Sequence, residues 1–237
     1  MKSIKSRLIV MNFLQFAVWG SYLTCVGQFL GKVGLGDYIS WFYIAQGIVS
    51  IFMPAIMGII ADKYVQPQRL LGISHLLAAG FMLVAAYFGF EATQLAAQNG
   101  GNEAYVADIW PIFIPYVLSV AFYMPTIALS NSVAYNILER NGYDTVKVFP
   151  PIRVFGTIGF ILAMLFVNFV SVGGVQFQNS YNQFITSGVI GLAMLVYCFT
   201  LPDCPCSASS NENQTFAERM GLNAFSLFKD KQMAIFF

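Results

Sequence analysis

Apolar positions gather in long runs, and clusters of polar residues separate them at nearly regular intervals. Six runs of about twenty residues or more cover 8–30, 38–60, 70–90, 109–137, 150–172 and 183–201, and a seventh starts at Met233. A helix of that length crosses the roughly 30 Å hydrocarbon core of a bilayer. It also pairs all of its own backbone groups there, which an irregular chain cannot do. The pattern predicts an all-α, multi-pass membrane protein.

Composition agrees. Of 237 residues, 57% are hydrophobic and 10% charged, whereas soluble domains carry about 25% charged residues. The net charge of +1 offers nothing to a nucleic acid. Basic residues at Lys2, Lys5 and Arg7 lead straight into the first run, which is too long for the core of a signal peptide and is read as a retained first helix. Cys25, Cys198, Cys204 and Cys206 have no histidine or second pair at metal-ligand spacing, so free thiols are expected.

Charge between the runs sets the orientation. With the N-terminus inside, Lys2, Lys5, Arg7, Lys63, Arg69, Arg140, Lys147, Arg219, Lys229 and Lys231 all face the cytoplasm, leaving only Lys32 outside and Arg153 within a run. The positive-inside rule therefore predicts a cytoplasmic N-terminus. The organisation read from the runs is a six-helix domain over 1–201, a cytoplasmic linker over 202–231 with a short amphipathic helix at 216–222, and the start of a seventh helix at 232–237. Ending inside an apolar run, the chain reads as the front part of something longer.

A few polar residues inside the runs carry the candidate chemistry. Arg153 stands in the fifth run with no acid within eight residues, and a centrally placed arginine costs roughly 2.5–3.5 kcal/mol to insert. Thr157 and Phe160 follow it at i+4 and i+7, so the three share one helical face. Counted from Phe149, Arg153 is only about 6 Å deep, shallow enough to snorkel; counted from near Asp144, it is about 14 Å deep. The first run offers Gln15, Trp19 and Tyr22 on one face, and the fourth, rich in proline, offers Asn131 and Tyr135 one turn apart. These are candidate cavity-lining residues, although helix–helix hydrogen bonding explains each of them too. His75, the only histidine, reads as a neutral packing residue near the cytoplasmic surface rather than a proton carrier. The first and fourth runs are the polar ones, as in transporters built from three-plus-three inverted repeats.

Four blocks carry a family resemblance. Phe13-Leu14-Gln15-Phe16-x-x-Trp19-Gly20-Ser21, Phe52-Met53-Pro54-Ala55-x-x-Gly58-Ile59-x-Ala61-Asp62-Lys63, Tyr123-Met124-Pro125-Thr126 and Phe149-Pro150-Pro151-Ile152-Arg153-x-x-Gly156-Thr157-Ile158-Gly159-Phe160 resemble the bacterial nucleoside:proton symporter family of the major facilitator superfamily. The stretch from Phe225 to Phe237 resembles that family's entry to its seventh helix. The resemblance implies the N-terminal six-helix bundle of a twelve-helix transporter in the bacterial inner membrane. It implies a substrate site that includes Arg153, Thr157 and Phe160, and a conformational loop motif at Gly58, Asp62, Lys63 and Arg69, here without the usual glycine and paired bases that follow. It also implies that the acid for proton coupling lies in the second six-helix half of the polypeptide. No cofactor or metal is expected, and the partners are a nucleoside, protons and lipid. A sugar:proton symporter is the alternative; a non-transporting scaffold or a membrane enzyme is a remote one, since no nucleophile–base pair or metal set is present.

Overall fold

The computed structural model describes residues 2–63, 65–100 and 105–204, without the side chains of Lys2, Ser3, Ile59, Asp62 and Lys63. In chain order they form α1 (Lys2–Gly20), α2 (Val26–Lys32), α3 (Ile39–Lys63), α4 (Pro67–Gln98), α5 (Trp110–Arg140), α6 (Thr145–Phe169), a two-stranded hairpin, and α7 (Asn182–Cys198). Among the described residues, four stretches are long and apolar enough to cross a membrane: Gly36–Gly58, Pro67–Gln98, Trp110–Arg140 and Thr145–Phe169. The expected linker beyond Cys204 and the start of the seventh helix lie outside the described residues.

The first run is two helices rather than one. Helical bonding lapses over residues 21–25, where Tyr22 N reaches back only to Trp19 O, at 3.3 Å. The carbonyl it would have used, on Val18, accepts from Ser187 Oγ at 3.0 Å. Ser21 Oγ donates to Ala17 O at 2.8 Å and Tyr43 Oη to Leu23 O at 2.9 Å. Hydroxyls of Ser187 and Tyr43 thus take up the Val18 and Leu23 carbonyls at the break, which is what makes a break tolerable away from water.

The fifth run also departs from its expected limits. α6 starts at Thr145, five residues ahead of the apolar run, because Asp144 caps it: the carboxylate accepts from Lys147 N at 3.3 Å and pairs with Lys147 Nζ at 3.4 Å. Pro150 and Pro151 lie inside the helix. Their missing N–H groups leave the carbonyls of Val146 and Lys147 unmatched, at a turn where Val146 is 82% exposed and solvent can serve them. The helix ends at Phe169 rather than 172, since Ser171–Val172 pairs antiparallel with Val175–Gln176. Gly173 and Gly174 form the two-residue turn with φ of 61° and 79°, values that glycine takes at little cost.

Packing pairs α1 with α6 and α7, α4 with α5 and α7, and α3 with α5. The interior has two apolar clusters. One gathers Tyr22, Phe29, Phe42, Tyr116 and Phe184; the other gathers Leu8, Met11, Leu71, Val133, Ile152 and Met194. Between them, on α1, α4 and α5, lies a thin polar layer.

Candidate functional site

That layer is built on Gln15, which is fully buried. Its Nε2 donates to Thr126 Oγ1 at 2.7 Å, and its Oε1 faces His75 Nε2 at 2.8 Å. Thr126 Oγ1 in turn donates to Tyr123 O, and Tyr123 Oη donates to Gln15 O at 2.6 Å. Because the Gln15 oxygen can only accept, His75 must carry its proton on Nε2 in this arrangement. Three helices are tied through one amide. His75 is wholly enclosed, in the packed and hydrogen-bonded setting expected of it. Tyr22 is equally buried, meeting the Tyr116 ring edge-on at 5.8 Å.

The α6 face is different, because α1 approaches it very closely. A Cβ added at Gly159 would lie 2.9 Å from Phe13 C, and one added at Gly20 would lie 2.8 Å from Phe160 Cα. Small residues thus let the two backbones touch, a common device in membrane bundles. On this contact two aromatic residues of α1 meet the candidate residues of α6. The Arg153 Cζ stands 3.7 Å from the centroid of the Phe16 ring. Trp19 meets Phe160 edge-to-face at 5.9 Å and lies 6.5 Å from Phe16. Arg153 and Phe160 are half-buried and Thr157 is exposed. Among the described residues no carboxylate pairs with Arg153. The arrangement presents a cation, a hydroxyl and an aromatic ring along one side of α6, which suits a neutral polar ligand with a flat ring.

The remaining candidates lie elsewhere. Asn131 and Tyr135 line an open groove of about 470 Å³ with Ala128, Ser132, Asn136 and Glu139. The Tyr135 ring rests 4.5 Å from that of Phe149 at the start of α6. Gly58 has open space around it, and Arg69 lines a separate 340 Å³ groove between α4 and α7 with Gln68, Phe199 and Asp203. Among the described residues no three His, Cys, Asp or Glu side chains are grouped to hold a metal. Phe16 was not singled out from sequence, although its spacing of three from Trp19 and the Gly156–Gly159 pair opposite were there to be read.

The family model for the nucleoside H+ symporter matches residues 1–237. Xanthosine permease of Escherichia coli (strain K12) is 39% identical over 99% of the chain, and nucleoside permease NupG of the same organism is 37% identical over 99%. The chain spans about half the length of the curated relatives it matches, 51% in each case. A crystal structure of a mutant of the nucleoside transporter NupG superposes with a TM-score of 0.79 at 33% identity, covering 98% of this chain and 52% of that one. A second NupG crystal structure gives 0.69 at 34% identity, with the same coverage.

Proposed function

The chain belongs to the nucleoside H+ symporter family, and from that premise we propose that the protein carries nucleosides inward across the bacterial cytoplasmic membrane together with protons. The family and its relatives are transporters, not enzymes. In this reading the chain forms one half of an alternating-access pathway, and a second six-helix half of the polypeptide completes the substrate site and supplies the acid for proton coupling. The N-terminus and the Gly58, Asp62, Lys63, Arg69 loop face the cytoplasm, as the distribution of basic residues favours.

The observation that carries the reading is the α1–α6 contact. It sets Arg153, Thr157 and Phe160 along one side of α6 and backs them with the rings of Phe16 and Trp19. A nucleoside offers ribose hydroxyls and base acceptors to the guanidinium and the threonine hydroxyl, and a flat base to the Phe160 ring. Base–aromatic stacking contributes about 1–3 kcal/mol per base in single-strand binders. Trp19 belongs to this site, and Asn131 and Tyr135 line the approach to it. Gln15 and Tyr22 serve as its rigid support.

The pairing of helices supports a three-plus-three inverted repeat of six spans. α1–α2, α3 and α4 form the first triplet, and α5, α6 and α7 the second. Exchanging α1 for α5, α3 for α6 and α4 for α7 turns the α1–α6 contact into α5–α3 and α4–α5 into α7–α1, while α4–α7 maps onto itself; every one of these contacts is present. The test is competition. Uptake of labelled uridine by the full-length protein should be blocked by unlabelled nucleosides and collapse with a protonophore. Block by sugars and not by nucleosides would replace the substrate class.

A further inference from the structure

Arg153 points the unusual way along its helix. Side chains on an α-helix lean toward its N-terminus, and an arginine near a membrane surface gains by reaching back toward water. The Arg153 guanidinium instead lies beside Gly156, one turn further in: a Cβ built on Gly156 would sit 2.8 Å from Arg153 Nη1 and 2.7 Å from Phe16 Cδ2. The absent side chain at 156 leaves a notch, and the guanidinium and the Phe16 ring fill it together. Phe16 is 4% exposed and held in the α1–α6 contact. Its ring covers one side of the guanidinium at 3.7 Å.

We infer that Phe16 is a positioning residue: its ring holds the Arg153 guanidinium forward along α6, beside Gly156, and so sets the affinity for a nucleoside that Phe16 itself does not touch. The inference rests on the proposed role of Arg153 in the nucleoside site. The physical reason is preorganisation. A free arginine loses much rotamer freedom when it engages a ligand, and a planar cation already seated on a ring loses less. The ring's quadrupole supplies the attraction, so the effect depends on π density and not on bulk alone.

That dependence gives the experiment. In the purified full-length transporter, Phe16 is replaced by phenylalanines carrying one, two and three ring fluorines, which drain the π face with little change in shape. Equilibrium binding of labelled uridine is measured alongside thermal unfolding. The dissociation constant should climb stepwise with each fluorine while the melting temperature stays level. Phe16→Leu should weaken binding by roughly 2- to 30-fold, the range that a cation–π contact spans, and Phe16→Tyr should bind close to the parent. A dissociation constant that is flat across the fluorine series, with Arg153→Ala still crippling binding, would overturn the role of Phe16 alone. Undiminished binding by Arg153→Ala would overturn the site reading beneath it.

Discussion

Gly20 and Phe160 meet backbone to backbone, close enough that a Cβ on Gly20 would fall 2.8 Å from the Phe160 Cα. The contact lies beside the Trp19–Phe160 ring pair, so the spacing of α1 and α6 and the geometry of the candidate site are set at one place. Any side chain at position 20 must push α6 away. Gly20→Val is expected to cost at least the ~1–3 kcal/mol typical of overpacking, read as a lowered melting temperature in detergent. Nucleoside affinity should fall with it. Gly47→Ala in α3 is the control, since nothing lies within 4 Å of its added Cβ. An unchanged melting temperature in Gly20→Val would mean that the close approach is not real.

The amide of Gln15 ties α4 and α5 to α1 inside the bundle. Gln15→Leu leaves the His75 N–H unmatched in an apolar interior, and a loss of about 1–3 kcal/mol is expected for such an orphaned group. His75→Leu strands the Gln15 oxygen and should cost a similar amount. Because the two changes remove one interaction, the double variant should be less destabilised than the sum of the singles. Chemical or thermal unfolding of the three variants checks this. Strict additivity would show that the bond contributes nothing.

Much of this was legible in the chain. The apolar runs fall largely on helix, although the first is broken at 21–25 and the fifth gives way to a strand at Ser171. Among the described residues four helices are long and apolar enough to cross a membrane. The Arg153, Thr157, Phe160 face was legible from its spacing, as were Gln15 and Trp19 on one face of α1, whereas Tyr22 lies in the break that follows α1. In the fold Gln15 and Tyr22 turn into the interior while Trp19 meets Phe160. Periodicity says which residues share a face but not what that face meets. The partners of Gln15 lie 60 and 111 residues away, and no local pattern encodes them. The start of α6 was illegible for a different reason: Asp144 and the residues before Pro150 are polar, and a hydropathy run cannot see a capped helix that begins outside the apolar core.

Cys204, just beyond α7, is fully enclosed, with its backbone N–H donating to Gln68 Oε1 at 3.1 Å. Burial pushes its thiol up to about 11, with the Arg140 charge partly offsetting this and Asp203 adding to it. The thiolate therefore forms only as the pH rises toward that value. Maleimide labelling of Cys204 in the folded protein should be slow at neutral pH and accelerate steeply in alkali. The denatured protein should label with an ordinary thiol profile centred near pH ~8.5. Fast labelling of the folded form at neutral pH would contradict the enclosure.

The proposed function makes Arg153 a ligand-binding cation in a proton-driven nucleoside pathway. The direct measurement is accumulation of labelled uridine by cells that lack other nucleoside uptake and express the full-length protein or its Arg153→Ala variant at equal membrane levels. The parent should accumulate uridine and lose that capacity with a protonophore, and the variant should stay at the background of empty cells. Accumulation by Arg153→Ala equal to the parent, or accumulation that a protonophore leaves untouched, would contradict the account.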